Sequence, residues 1–320
     1  MHAVLSVLLV TFPFFALVLC GYLAARIRLL PQPAIPGLNS FVLYFALPCM
    51  LYRFGASTPI AQLLDPAAAG VYLLCALLMV AGTVLATRGP RMGWNDAAFG
   101  ALVAAFPNTG FMGVPLLVAL LGAAAAGPAI LTIALDMVVT SSLCVALSRL
   151  DVAGTHGMAV ALRKALVGMA SNPMPWAIAL GALASAMQFT LPGPLDQSVA
   201  MLADAASPVA LFTIGAVLAR SQMNEHEQVP ARDYVPIALA KLLLHPLLVW
   251  GVGQGAIALG LPLSPFALTA LVLLAALPSA SNVALLAERF GAHNGRIARI
   301  ILVSTALAFV SFSGAVALLT

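Results

Sequence analysis

Charged residues are scarce in this sequence. Only 8% of its 320 residues are Asp, Glu, Lys or Arg, whereas a soluble globular domain carries about 25%. The hydrophobic share is 62% and the mean hydropathy is +1.07. A chain with so little charge cannot cover its surface with groups that water solvates, so much of that surface must face lipid. No stretch is polar enough to form a separate domain, and we expect a single membrane domain over residues 1–320.

Basic clusters, paired cysteines and catalytic motifs are also missing. The net charge is only +4 and the basic residues are scattered, so we expect no nucleic-acid binding. No CxxC pair or His-linked spacing occurs, so we interpret the cysteines as packing residues and expect neither a metal nor a cofactor. A lone intramembrane Asp136, without an HExxH, paired-Asp or Ser/His pattern, argues against a membrane enzyme. The cysteines are Cys20, Cys49, Cys75 and Cys144.

Long apolar runs are what the sequence has in abundance. A helix needs about 20 mainly apolar residues to cross a bilayer. The first run has no basic residues before it and is too long for a signal peptide, so we interpret it as a span. No segment alternates apolar and polar residues as a barrel strand does, and we predict an all-α membrane protein. The ten predicted spans are 3–25, 36–56, 66–87, 95–121, 125–148, 172–191, 195–219, 234–259, 265–290 and 296–319.

The basic residues predict the orientation of these spans. If the N-terminus is outside, Arg53 is the only basic residue in an outer loop and Lys241 lies within the eighth span. The positive-inside rule then predicts both termini on the outer, periplasmic side of the inner (plasma) membrane. The basic residues assigned to the inner loops are Arg26, Arg28, Arg88, Arg91, Arg149, Arg163, Lys164, Arg220, Arg232, Arg289, Arg296 and Arg299.

Two pairs of similar segments indicate an internal repeat. Residues 46–56 read ALPCMLYRFGA and residues 206–216 read ASPVALFTIGA, with five of eleven positions identical. Residues 102–107 match residues 273–278 at four of six positions. The matches pair the second span with the seventh and the fourth with the ninth. Five spans per half give the halves opposite orientations, so we predict a 5+5 inverted repeat over about 3–148 and 172–319, as in many secondary transporters.

The fourth and ninth spans each contain a proline followed by small polar residues. Proline lacks an N–H and clashes with the preceding turn of a helix, so both spans should be broken. Broken helices survive in a membrane where they line an enclosed cavity, and the N-terminal ends of half-helices carry free N–H groups that attract anions. We therefore expect an anion-binding site there, although the prolines also fit simple kinks between packed helices. The candidate substrate-binding residues are Pro107, Asn108, Thr109, Gly110, Pro278, Ser279, Ala280, Ser281 and Asn282.

Ionisable residues inside spans are the second candidate feature. Asp136 lies midway along the fifth span, and Lys241 and His245 lie one helical turn apart in the eighth. Such groups are costly in lipid and mark functional sites by default. We consider Lys241 a candidate anion partner, and Asp136 or His245 a candidate proton carrier. The alternatives are a snorkelling role for Lys241, a structural acceptor role for Asp136 and a packing role for His245.

At these residues the sequence resembles the auxin efflux carrier family, which includes plant carriers and bacterial malonate-type transporters. Residues 107–117 read PNTGFMGVPLL, similar to the family's PNT…MG(I/V)PLL signature, and residues 45–48, 276–278 and 287–291 fit as well. The resemblance implies ten helices in scaffold and transport subdomains, with helices 4 and 9 crossing as in bile-acid symporters and NhaA, and an elevator-like motion. Asn108 matches the crossover asparagine of the plant signature, whereas Asn282 matches the bacterial pattern only.

The resemblance favours a carrier of a small organic anion. The segment 149–171 is short where plant carriers have a long hydrophilic loop, so the bacterial branch suggests malonate or another short carboxylate rather than auxin. Proton coupling, sodium coupling and either direction of transport stay open, as does a sensor built on a transporter fold. Small residues at 251, 253 and 255 fit packing within the chain or in a homodimer.

Overall fold

The computed structural model describes residues 2–58, 65–150, 163, 167, 173–224 and 229–320. Within these ranges the chain is helical and contains two isolated β-bridges but no strand. The predicted all-α class is therefore confirmed for the described residues. Lys164 and most of the segment 149–171, on which part of the orientation argument depends, lie outside them.

The helices follow the apolar runs of the sequence. Several runs contain more than one helical segment, because a stretch of π-helix or a turn interrupts the α-helical winding. The α-helices are α1 (His2–Arg26), α2 (Ile35–Phe41), α3 (Leu47–Ser57), α4 (Pro66–Thr87), α5 (Trp94–Ala105), α6 (Val114–Leu121), α7 (Ala126–Leu135), α8 (Ser141–Leu147), α9 (Pro173–Met187), α10 (Gly193–Asn224), α11 (Val235–Leu239), α12 (His245–Ala258), α13 (Pro265–Ala275), α14 (Asn282–Arg289) and α15 (Asn294–Leu319). The π-helical segments are Val42–Ala46, Thr109–Gly113, Asp136–Thr140 and Ala240–Leu244.

By length and composition, six helical stretches of the described chain can cross a membrane. They are Gln32–Ser57, Pro66–Thr87, Ala123–Leu147, Gly193–Met223, Val235–Ala258 and Asn294–Leu319. Shorter apolar helices cover Thr11–Arg26, Thr109–Leu121, Pro173–Met187 and Pro265–Ala275. The chain is thus a multi-pass membrane protein, while the count of ten spans and the inverted repeat stay predictions.

Two compact units make up the chain, and each is assembled from segments that are far apart in the sequence. Unit 1 consists of Met1–Asp65, Thr109–Leu131 and Asn172–Glu225. Unit 2 consists of Pro66–Asn108, Thr132–Ser171 and His226–Thr320. The boundary between the units falls within the fourth predicted span, between Asn108 and Thr109.

Close helix packing at glycines characterises unit 1. A Cβ on Gly21 would overlap the backbone of Phe212, and a Cβ on Gly215 would overlap the carbonyl oxygen of Val18. Glycine therefore permits α1 and α10 to approach backbone to backbone, the packing that small residues provide in membranes. The helix α10 continues through Pro208 without interruption and is longer than the predicted span 195–219.

Two helices of unit 2 are buried on nearly every side. From Ala97 to Ala105 each residue of α5 is buried, and α13 is buried without exception from Ala270 to Ala275. A helix that is apolar all round belongs inside a bundle, and α4, α8, α12, α14 and α15 pack around these two. The helix α5 ends two residues before Pro107, and α13 ends three residues before Pro278, at the two breaks described below.

The first turn of α15 is tied to the beginning of α5. Arg296 is only 3% exposed, and its guanidinium donates to the backbone carbonyls of Asp96 and Asp233 at 2.9 and 2.8 Å. Asn95 Nδ2 donates to the carbonyls of Phe290 and Gly291. The sequence suggested an ordinary basic loop residue at position 296, whereas the structure uses it to hold helix ends together.

Candidate functional site

Both broken spans are interrupted at their prolines, and in unit 2 the two interruptions are hydrogen-bonded to each other. The first follows α5 at Phe106, and the second covers residues 276–281 between α13 and α14. Asn108 N donates to Pro278 O at 2.8 Å, and Ala280 N donates to Phe106 O at 3.0 Å. The two backbone segments run antiparallel at this bridge. Groups that leave a helix in an apolar interior need new partners, and each break supplies them to the other.

Several polar side chains at the breaks have no protein partner. Asn108 is 2% exposed and Ser279 is fully buried. Asn108 Oδ1, Ser279 Oγ and Asn282 Oδ1 make no hydrogen bond within the described chain. Ser281 stands at the N-cap of α14, but its side chain makes no capping bond. A buried polar atom without a partner costs about 1–3 kcal/mol, so this cluster is a candidate ligand-binding site.

The backbone amides of the breaks are less available than the sequence suggested. We expected free N–H groups at the starts of the half-helices. The amides of Asn108 and Ala280 instead bond to the opposite break, and Ser279 N donates to Ser304 Oγ at 3.2 Å. For these three amides the expectation is wrong, because the segments satisfy one another. The side chains are therefore the uncommitted groups.

Thr109 and Gly110 belong to unit 1, where they begin the π-helical segment Thr109–Gly113. The Thr109 hydroxyl is fully buried and lacks a hydrogen-bond partner in the described structure. Gly110 is half-buried, with open space where a Cβ would stand. Thr109 and Gly110 therefore stay candidate substrate-binding residues.

Asp136 is held by two hydroxyl groups. The residue is fully buried at the beginning of the π-helical segment Asp136–Thr140. Tyr72 Oη donates to Asp136 Oδ2 at 2.6 Å, and Thr140 Oγ1 donates to Oδ1 at 3.0 Å. Both carboxylate oxygens are therefore satisfied. Tyr72 was not among the residues predicted from the sequence, although it is the one aromatic residue with a polar group in the third predicted span.

Lys241 and His245 lie together, as their spacing predicted. Lys241 is fully buried in the π-helical segment Ala240–Leu244, and its Nζ donates to Ala275 O at 2.6 Å. The same Nζ lies 3.1 Å from His245 Nδ1. The ammonium group thus points to the last residue of α13 rather than snorkelling out of the bundle.

His245 connects the lysine to the tyrosine that holds Asp136. The ring centroids of His245 and Tyr72 are 6.1 Å apart, and Tyr72 Oη donates to Asp136. Because Lys241 has only donors, His245 Nδ1 accepts and Nε2 carries the ring hydrogen. That Nε2 is buried and has no partner in the described chain. Asp136, Lys241, His245 and Tyr72 form one polar cluster, which we call the buried charge cluster.

A comparison with known protein families shows the family of this chain. The family model described as membrane transport protein matches residues 6–316. The chain belongs to this family. It is the auxin efflux carrier family that the PNT motif resembles. In this carrier family member the motif begins at the first break, where its first proline and its asparagine, Pro107 and Asn108, lie between α5 and the next helical segment.

Individual relatives agree with the family. A protein of Rhizobium meliloti (strain 1021) named "Putative malonate transporter" is 30% identical over 307 residues, which cover 94% of this chain and 92% of that protein. A protein of Escherichia coli (strain K12) named "Uncharacterized transporter YfdV" is 25% identical over 286 residues, covering 88% of this chain and 87% of the relative. The likeness therefore extends along nearly the whole carrier.

The breaks of this carrier offer neutral hydrogen-bonding groups. The hydroxyls of Ser279 and Ser281 can donate or accept, and the amides of Asn108 and Asn282 can do both. Basic side chains lie elsewhere in the described part of unit 2, with Lys241 committed to Ala275 O. Such a set can bind a carboxylate through donors or a small cation through oxygen atoms.

Proposed function

We propose that this carrier moves a small organic anion, a short carboxylate such as malonate, across the membrane as a proton-linked secondary transporter. The observation that carries the proposal is the pair of hydrogen-bonded breaks, at which the buried Ser279 hydroxyl has no partner and the side-chain oxygens of Asn108 and Asn282 are also unpaired. The name of the Rhizobium meliloti relative suggests malonate as the first substrate to test.

Substrate recognition rests on neutral donors in this proposal. The hydroxyls of Ser279 and Ser281 and the side-chain amides of Asn108 and Asn282 donate to the carboxylate. Hydrogen bonds to a charged acceptor are about twice as strong as neutral ones. Pro107, Pro278 and Ala280 contribute by shaping the backbone around the substrate.

Transport itself occurs by alternating access with an elevator-type motion in this proposal. Unit 2 contains both breaks and the buried charge cluster, which supports assigning it to the transport part and unit 1 to the scaffold. The glycine-mediated contact of α1 with α10 supports a rigid scaffold. We also propose that the carrier has ten spans in an inverted repeat and lies in the inner membrane with both termini outside. We propose in addition that it assembles as a homodimer.

Proton linkage is assigned to the buried charge cluster. Asp136 can exchange a proton, and the hydroxyls of Tyr72 and Thr140 stabilise its charged form. Lys241 and His245 then supply the balancing positive charge and a second group that can hold a proton. This assignment develops the expectation that Asp136, Lys241 and His245 serve as proton or anion partners.

A sodium-coupled anion symporter of the bile-acid type is the second candidate. The observation that favours it is chemical, since Asn108 Oδ1, Ser279 Oγ and Asn282 Oδ1 are all oxygen atoms without partners. Hard cations in proteins are bound by such oxygens. Bound sodium would then provide the positive charge for the substrate.

The test is uptake of radiolabelled malonate and other small carboxylates into proteoliposomes. A proton gradient, a sodium gradient or neither is imposed, and liposomes without protein give the background. Accumulation with the proton gradient alone supports the proposal, and accumulation with sodium alone supports the second candidate. The variant Ser279→Ala should lose uptake, whereas Ser198→Ala should retain it, because Ser198 is exposed and bonds only within its own helix. Absence of flux with every carboxylate would refute both candidates.

A further inference from the structure

Among the helical hydrogen bonds that are missing at the second break, one has both of its groups bound to side chains instead. In an uninterrupted helix the carbonyl of residue i accepts from the amide of residue i+4, so Ala275 O would accept from Ser279 N. Here Lys241 Nζ donates to Ala275 O at 2.6 Å. Ser279 N donates instead to Ser304 Oγ at 3.2 Å.

The geometry points to Lys241 and Ser304 as positioning residues that hold the break at residues 276–281 open by replacing the two halves of this bond. The inference rests on the proposed function only in taking this break as the substrate site. Lys241 reaches the break from the π-helical segment Ala240–Leu244 and Ser304 reaches it from α15. The break is thus held from two sides by side chains that need not touch the substrate.

Charge explains why a lysine occupies this place. The C-terminal end of a helix carries a partial negative charge on its unpaired carbonyls, and Ala275 is the last residue of α13. The buried ammonium of Lys241 offsets that charge. An apolar side chain of the same length would leave Ala275 O without a donor in a dry interior.

Ser304 has a matched control next to it. Its hydroxyl donates to Ile301 O at 3.0 Å while accepting from Ser279 N. Thr305 donates to the same carbonyl at 2.7 Å but makes no contact with the break in the described hydrogen bonds. Both residues are buried. Removal of either hydroxyl therefore perturbs α15 equally, whereas only Ser304→Ala frees the amide of Ser279.

The experiment is hydrogen–deuterium exchange of the full-length protein in detergent, read by mass spectrometry on the peptide that covers residues 276–283. We expect Ser304→Ala and Lys241→Met each to raise the exchange rate of this peptide about tenfold. A tenfold change corresponds to about 1.4 kcal/mol of lost hydrogen bonding. The exchange rate of this peptide should equal that of the wild type in Thr305→Val, and also in Lys241→Arg, which keeps a charged donor. Unchanged exchange in Ser304→Ala would overturn the inference even if Lys241→Met fails to fold.

Uptake kinetics provide the functional readout. If the variants reduce the fraction of molecules with an open break, the apparent affinity falls by that fraction. The KM for the transported carboxylate should therefore rise about tenfold in Ser304→Ala, with little change in the maximal rate. An equal KM in Ser304→Ala and Thr305→Val would also overturn the inference. Because exchange is measured without substrate, failure of the carboxylate proposal alone would leave the exchange result intact.

Discussion

The hydrogen bond between Tyr72 and Asp136 provides the sharpest test of the buried charge cluster. Tyr72→Phe removes only the hydroxyl that lies 2.6 Å from Asp136 Oδ2, and it keeps the ring that contacts His245. Both residues are fully buried, so water cannot replace the lost donor. A bond to a charged group contributes about 1.5–3 kcal/mol, and Thr140 keeps the second oxygen satisfied. We therefore expect the variant to lose about 2 kcal/mol of unfolding free energy.

A double-mutant cycle separates the charged bond from general packing. In an Asp136→Asn background the tyrosine bonds to a neutral amide, and its removal should cost only about 1 kcal/mol. The coupling energy between the two positions is then about 1 kcal/mol. Unfolding is measured by titrating the detergent-solubilised protein with a denaturing detergent. Tyr44→Phe, at an exposed tyrosine, serves as the control for loss of a hydroxyl.

The result that would refute this reasoning is a coupling energy of zero. It would mean that Asp136 does not carry the charge that strengthens the bond. The cluster would then be a neutral packing feature, and the assignment of proton linkage to Asp136 would fall with it.

Three further predictions concern the site and the scaffold. Asn108→Ala should abolish carboxylate binding while the protein stays folded, because the amide is one of the uncommitted groups at the first break; binding is measured by ligand-induced thermal stabilisation. Asp136→Asn should exchange labelled for unlabelled substrate but lose accumulation driven by a proton gradient, since the amide cannot carry the proton. Gly215→Val should lower the yield of folded protein, because its Cβ would overlap the Val18 carbonyl, whereas Gly251→Ala, with open space at its Cβ, should not; size-exclusion chromatography measures both.

Each of these predictions has a clear contrary outcome. Wild-type affinity in folded Asn108→Ala would remove that residue from the binding site. Full proton-driven accumulation in Asp136→Asn would move the coupling group elsewhere. A normal yield of Gly215→Val would show that α1 and α10 can separate at little cost, against the close packing seen between them.

The two breaks were predictable from local sequence, whereas their partners were not. Pro107 and Pro278 each remove one helical donor, since neither has an N–H, and small polar residues follow both of them. The mutual bonds of Asn108 and Ala280 with the opposite break depend on residues more than 150 positions away. For the same reason these amides were expected to be free, although the two segments satisfy each other.

In the buried charge cluster, too, one contact was predictable from the sequence and others were not. The spacing of Lys241 and His245 predicted their contact, because residues four apart share a helix face. No pattern indicated that Tyr72 would bind Asp136, or that Ser304 would accept the amide of Ser279. Those contacts depend on how neighbouring helices are rotated about their axes, which hydropathy does not encode in helices that are apolar on most sides.

The sequence by itself determined that this protein lies in a membrane and that it is built from helices. Because charged residues are scarce, the surface must face lipid. In lipid each backbone N–H and C=O must be hydrogen-bonded within the protein, and a single segment achieves this as a helix. The tertiary structure alone decided where the described helices change from α-helical to π-helical winding. The π-helical segments at Asp136 and Lys241 arise where a buried charge must reach a specific partner on another helix. Local sequence cannot specify such a partner, because it exists only after the helices have packed.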